Sequence, residues 1–122
     1  MILYKEEQLA YDFVQADWRL VPLLAAVEEE ARQRSCGVRV TCVFRLDGIH
    51  GAGRAFDNGF FDIMNYTRNY DVGPVIEKAI NTHTVYGLGH DGQDHPAALW
   101  HDAGTGLHLH VQVPDHDLIL RQ

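Results

Sequence analysis

Two short stretches of this chain carry the residues with the clearest potential for chemistry. The segment from His50 to Asp57 places an imidazole and a carboxylate around a glycine-rich turn, and His108 and His110 stand two residues apart near the C-terminus. Side chains alternate faces along a strand, so the two histidines point the same way if residues 107–113 form a strand. Such nitrogen and oxygen donors predict a divalent metal site of the catalytic zinc type, with three protein ligands and one position for water.

Helices and strands that would position these donors follow from hydrophobic periodicity. A helix is predicted over residues 17–35, where Asp17 can cap the first turn and Gly37 follows the last. Its apolar stripe consists of Leu20, Leu23, Leu24, Val27 and Ala31. A second helix is predicted over residues 72–82. Strands are predicted over residues 38–45, 54–57, 60–64, 84–88, 97–101 and 107–113, with a hairpin or bulge at Asn58-Gly59.

These elements predict the fold class. Strands outnumber helices, and the two helices lie between groups of strands. The pattern is typical of an α+β domain, with a small antiparallel sheet and helices packed on one side. A chain of 122 residues is long enough for one domain and too short for two, so residues 1–122 are interpreted as a single domain.

Composition excludes some function classes. The net charge is −7, with 17 acidic against 10 basic residues. Nucleic acid is therefore not an expected partner, because phosphate binding needs clustered Lys and Arg. No apolar run is long enough to span a membrane, and the N-terminus lacks the pattern of a signal peptide. Cys36 and Cys42 are expected to be reduced, small, buried side chains, and the oligomeric state stays open.

The two chemical segments together resemble a known family. His50, Gly53, Ala55 and Asp57 spell HxxGxAxD, and an HxH strand follows. This order resembles the M15 family of zinc peptidases, which includes D-Ala-D-Ala carboxypeptidases, phage L-alanoyl-D-glutamate endolysins and, by fold, the hedgehog signalling domain. The stretch 40–45 also resembles the strand that precedes HxxGxAxD in such peptidases. The resemblance covers about residues 19–113 and implies a hedgehog/DD-peptidase-like fold.

The resemblance implies roles for individual residues. His50, Asp57 and His110 would bind Zn²⁺, His108 would face the metal and steady the substrate oxyanion, and Arg45 would polarise the scissile carbonyl. Zinc with three protein ligands lowers the pKa of a bound water to about 7. The implied substrate is a peptide bond in peptidoglycan stem peptides. The implied protein is phage-type, cytoplasmic in the producing cell or virion-associated, and acts on the cell wall.

One departure from the family leaves two interpretations open. Family members place a carboxylate a few residues before the last histidine, where this chain has Gly104, Thr105, Gly106 and Leu107. The nearest acid, Asp102, is either the catalytic base or an ordinary turn residue beside glycine. The protein is accordingly expected to be a zinc peptidase, with a catalytically impaired zinc-binding module of the same fold as the alternative.

Several other residues are assigned to structural positions. His83, His90, His95, His101 and His116 are expected at the surface or in loops, and Trp18 and Trp100 in the core. Tyr66, Arg68 and Tyr70 either line a substrate groove or belong to an exposed loop. None of these residues is placed in the predicted metal site.

Overall fold

A computed structural model describes residues 1–43, 53–88, 94–102, 104, 106–113 and 119–120 of the protein. Within these ranges the helices are α1 (Glu7–Gln15), α2 (Leu20–Arg32) and α3 (Val72–His83). The strands are β1 (Ile2–Tyr4), β2 (Cys36–Cys42), β3 (Ala55–Asp62), β4 (Thr84–Leu88), β5 (Asp94–Pro96), β6 (Ala98–Asp102), β7 (Leu107–Gln112) and β8 (Ile119–Leu120). The predicted residues Arg45 and His50 lie outside the described residues.

The main sheet has five strands in the order β1-β2-β3-β7-β6. The chain is α+β, as predicted, but the sheet is mixed, because β1 pairs parallel with β2 and the other pairs are antiparallel. The prediction of an antiparallel sheet is therefore wrong at this edge. Parallel neighbours need a long crossover, and α1 and α2 supply it between β1 and β2. Strands β4, β5 and β8 form a second sheet, and of these three only β4 was predicted.

Helices α2 and α3 cover one face of the main sheet. The predicted stripe of α2 is buried throughout and joins Ile76 and Ile80 of α3 in the core. Alternate residues of the strands complete that core, among them Val38, Phe56 and Leu109. The period-two pattern leaves the residues between them on the opposite face, where Asp57, His108 and His110 lie.

Strand β3 differs most from its prediction. It is one unbroken strand with Asn58 and Gly59 near its middle, so the predicted hairpin at this dipeptide is wrong. The pairing with β2 does shift register beside Asn58, but the extra residue lies in β2, between Val40 and Cys42. Asn58 pairs with Val40 of β2 on one side and with Leu109 of β7 on the other. Tertiary pairing on both edges thus overrides the local turn preference of the dipeptide.

The Asn58 side chain is fully buried on the core side of the sheet, and within the described part of the chain neither its Nδ2 nor its Oδ1 has a hydrogen-bond partner. An unsatisfied buried amide costs about 1–3 kcal/mol. We expect Asn58→Leu, of similar size, to raise the free energy of unfolding by about 1–2 kcal/mol in urea denaturation.

Asn81 is the matched control for this prediction. Its amide is satisfied, since Nδ2 donates to the Ala98 carbonyl at 2.8 Å and Oδ1 accepts the Ala98 N–H at 2.9 Å. Asn81→Leu should therefore lower the free energy of unfolding by about 1–2 kcal/mol. A destabilising Asn58→Leu would show that the amide is satisfied in solution.

Trp100 matches its prediction, whereas Trp18 and the start of α2 do not. Trp100 packs against the core, as predicted, but Trp18 is 76% exposed, so its core assignment is wrong. Trp18 lies in the turn before α2, which begins at Leu20 rather than at Asp17. Within the described ranges, every helix is too short or too polar to traverse a lipid bilayer.

Candidate functional site

Asp57 and His110 meet on the sheet face that the helices leave uncovered. They are direct cross-strand partners in the antiparallel pair β3–β7. The Asp57 Oδ1 atom lies 3.0 Å from His110 Nδ1, and the Asp57 side chain is only 3% exposed. Residues 53 apart in sequence thus come together because the strand register places their side chains opposite each other.

His108 joins the same cluster, because it precedes His110 by two residues in β7 and lies on the same face of the sheet. Its Nδ1–H donates to the Gly106 carbonyl at 2.9 Å, which turns Nε2 towards Asp57. The distance from His108 Nε2 to Asp57 Oδ2 is 3.8 Å. The prediction that His108 and His110 share a face is confirmed, and both approach one carboxylate.

His101 is a third histidine at this cluster, and its prediction as a surface or loop residue is wrong. It pairs with His108 across β6 and β7, and its ring centroid lies 4.8 Å from that of His108 and 6.1 Å from that of His110. Burial, followed by the charges of His108 and His110, lowers the pKa of His101. Both effects disfavour the protonated imidazole. Pairing β6 with β7 in the correct register would have identified it.

The surroundings of His110 fit a cation. Its Nε2 lies 2.8 Å from Gln112 Oε1 while its Nδ1 faces Asp57 Oδ1, so both ring nitrogens face oxygen acceptors. A neutral ring that donates from Nε2 to Gln112 presents its Nδ1 lone pair beside Asp57, which is the arrangement that a bound cation would use. Metal-ligating histidines commonly donate their second N–H to such an oxygen. Gln112 is thus a further site residue that the sequence did not single out.

The distance between the two donors also suits zinc. Zinc bonds of about 2.0–2.2 Å in a tetrahedral arrangement separate two ligand atoms by roughly 3.3 Å. The 3.0 Å between His110 Nδ1 and Asp57 Oδ1 needs only a small expansion. In the described ranges no group of three or more His, Cys, Asp or Glu side chains is arranged to hold a metal ion. A complete site would thus require a donor from outside these ranges, where His50 lies.

Asp102 is part of the turn between β6 and β7. Its Oδ1 accepts the N–H groups of Gly104 at 2.8 Å and Gly106 at 3.1 Å, and these hydrogen bonds lower the pKa of the fully exposed carboxyl. The same turn contains the Gly106 carbonyl that orients His108. In this geometry Asp102 helps to position His108 through the backbone.

A cavity of about 360 Å³ opens beside the cluster. Strand β7 pairs with β3 only as far as Asn58. Beyond Asn58, no other described strand pairs with this edge of β3, apart from the bridge between Phe61 and Arg68. Asp57 and His108 line the cavity together with Arg68 and Tyr70. Arg68 and Tyr70 therefore line a groove, which is one of the two predictions made for this segment. Tyr66 instead stacks on Phe61.

Gly53, at the end of the HxxG segment, is hydrogen-bonded to the segment that precedes α2. The Asp17 N–H donates to the Gly53 carbonyl at 2.7 Å, and the Asp17 carboxylate binds the Arg19 guanidinium with contacts of 2.8 and 3.0 Å. The Arg19 hydrogen bond holds the pKa of the Asp17 carboxyl below its ordinary value. This pair therefore fixes the backbone that leads into β3.

The pH dependence of stability should report this pair. A carboxyl whose pKa is lowered by folding stabilises the native state above its unfolded pKa of about 3.9, and the contribution disappears as the pH falls through the folded value. Asp17→Asn should lower the free energy of unfolding by about 1 kcal/mol at pH 7. Urea titrations at several pH values should show this difference shrinking below about pH 4. A difference that is independent of pH would contradict the assignment.

Comparisons of the chain with protein-family models, with curated proteins and with solved structures found no match.

Proposed function

We propose that the protein is a zinc-dependent peptidase of the M15 type, with a hedgehog/DD-peptidase-like fold, that hydrolyses a peptide bond in peptidoglycan stem peptides. The observation that carries the proposal is the contact of the buried Asp57 carboxylate with His110 and its approach to His108, at the wall of a cavity. His50 would complete the ligand set, as the resemblance implies. The protein would act on the cell wall from the producing cell or from a virion.

The metal would be held by Asp57 and His110 together with His50. When bound, zinc would supply Lewis-acid polarisation of the scissile carbonyl and an activated water. Gln112 would keep the His110 ring oriented, because its Oε1 accepts the Nε2 proton and leaves the Nδ1 lone pair for the metal. The cavity beside the cluster offers space for a short peptide segment.

His108 has a distinct task in this proposal. Its Nδ1–H is committed to the Gly106 carbonyl, so stabilising an anion requires a second proton on Nε2. The Asp57 Oδ2 atom lies 3.8 Å from that Nε2 atom. An N–H donor aimed at a developing oxyanion contributes about 3 kcal/mol to transition-state stabilisation. Arg45 is proposed as the second cation at the carbonyl, by resemblance.

The second candidate function is a catalytically impaired zinc-binding module of the same fold. The Asp102 carboxylate favours it, because both of its hydrogen bonds belong to the turn. Of the described residues that line the cavity, Asp57 alone is a carboxylate, and the proposal uses it as a ligand. Asp102 would serve as the base of an active enzyme only if the turn opened.

Metal analysis combined with a cell-wall assay tests both candidates. The purified protein should retain about one zinc per chain after dialysis and should reduce the turbidity of purified peptidoglycan, and a chelator should abolish that activity. Zinc binding without cleavage, where an endolysin control cleaves, would favour the module. Absence of zinc binding would exclude both.

A further inference from the structure

We infer that the cavity beside Asp57 and His108 binds the free carboxylate of a peptide ligand, through a cationic wall formed by Lys5, Arg39 and Arg68. This deepens the proposed function, on which it rests for the peptide nature of the ligand. Three of the chain's ten basic residues line this one cavity, although the net charge of the chain is −7. Such a concentration of positive charge attracts an anion.

Arg39 and Arg68 differ in their side-chain contacts from the arginines in and beside α2. Arg19, Arg32 and Arg34 each form an ion pair with a neighbouring carboxylate. Arg39 instead lies over the Phe61 ring, with its guanidinium carbon 5.6 Å from the ring centroid, and Arg68 donates to the Tyr70 hydroxyl at 3.2 Å. Within the described residues neither has a carboxylate partner.

Backbone contacts fix the positions from which these three side chains extend. Arg39 pairs with Gly59 in the sheet, and Arg68 forms a bridge with Phe61. The Lys5 N–H donates to the Val40 carbonyl at 2.9 Å. Anchoring of this kind lowers the ordering cost of binding. Guanidinium groups suit carboxylates because two parallel N–H donors match the two oxygens.

Gly59 leaves space for the ligand. It lines the cavity opposite Arg39, and a Cβ atom added there would meet no heavy atom within 4 Å. The surrounding wall includes the aromatic residues Phe61, Tyr70 and Trp100, which suit the rest of a peptide. A carboxylate in this pocket would place the adjoining peptide beside Asp57 and His108.

The test measures binding to the full chain after chelator treatment, so that failure of the zinc chemistry does not affect it. Acetyl-alanyl-alanine, its C-terminal amide and inorganic phosphate are titrated into ¹⁵N-labelled protein. The carboxylate peptide should shift the amides of Gly59 and Gly106 and the Nε–H signals of Arg39 and Arg68. The amide analogue should bind at least about tenfold more weakly.

Substitutions then locate the site. Arg39→Gln and Arg68→Gln should each weaken binding of the carboxylate peptide by about tenfold or more. Gly59→Val should abolish binding while preserving the fold, since a β-branched residue suits a strand and its side chain would occupy the pocket. Arg32→Gln, which removes a surface arginine that does not line the cavity, should change nothing.

Several outcomes would overturn the inference. One is that the wild type binds no peptide, or that it binds the carboxylate peptide and its amide equally. Another is that it binds phosphate but not the carboxylate peptide, or that Arg32→Gln weakens binding as much as Arg39→Gln and Arg68→Gln do. Carboxylate-dependent binding in a protein that takes up no zinc would uphold this inference and refute the proposed peptidase. Failure of the carboxylate-binding inference and failure of the proposed peptidase therefore give different results.

Discussion

His110→Ala should abolish zinc binding, whereas His108→Ala should leave zinc bound and remove turnover. His110 is proposed as a ligand, with Nδ1 3.0 Å from Asp57 Oδ1 and Nε2 held by Gln112. Its loss should weaken zinc affinity by more than about 100-fold, beyond the 10–100-fold typical of outer-shell partners. His108 is proposed to stabilise the oxyanion, so its loss should lower kcat by roughly 100–1,000-fold.

Zinc content after dialysis and the rate of peptidoglycan clearance separate the two effects. His83→Ala is the control, since His83 is exposed at the end of α3 and takes no part in the cluster. It should keep both the metal and the activity. If His108→Ala and His110→Ala retain zinc equally, the ligand assignment is wrong. Far-ultraviolet circular dichroism verifies that each variant is folded.

Gly37→Ala should destabilise the fold by about 3 kcal/mol, although it adds a single methyl group. Gly37 is the cross-strand partner of Phe61, and a Cβ atom at Gly37 would lie 2.3 Å from the Phe61 Cζ atom. The Phe61 ring cannot withdraw easily, because it is 1% exposed and is contacted by the Arg39 guanidinium and the Tyr66 ring. The midpoint of urea unfolding measures the loss.

Gly59 provides the matched control on the same face of the same sheet. An added Cβ there meets nothing within 4 Å, so Gly59→Ala should stabilise the protein by about 0.5 kcal/mol through the smaller backbone entropy of alanine. Equal effects of the two substitutions would show that the Phe61 ring moves aside freely. Because Phe61 also lines the cavity, Gly37→Ala is expected to change the pocket as well.

Local patterns predicted two of the three described helices, and α1 (Glu7–Gln15) was not predicted. The five-residue stripe of α2 is buried as predicted, because a period of 3.6 residues places all its members on one side. The period of two likewise placed His108 and His110 on one face of β7. The helix over residues 72–82 and the strand over residues 84–88 are also confirmed. These features depend only on short-range spacing along the chain.

Pairing between distant strands had to come from the tertiary structure. The Asn58-Gly59 dipeptide has a strong local turn preference, yet β2 and β7 hold it inside a strand. His101 joins the cluster only through the register of β6 and β7. Gln112 shares the face of His108 and His110 by the period of two, but its contact with His110 depends on the rotamers of the two side chains. No spacing rule connects them to Asp57. Similarly, Trp18 is apolar enough for a core, but the turn before α2 leaves it exposed.

The amino-acid sequence by itself grouped Asp57, His108 and His110, because their residue types and order resemble those of the M15 zinc-peptidase motifs. Only the tertiary structure brought Asp57 to within 3.0 Å of His110 and opened a cationic cavity beside them. Donor chemistry is a property of each side chain and is visible in the sequence. Distance and charge environment depend on strand register and on where one strand ends beside another, which the whole fold decides.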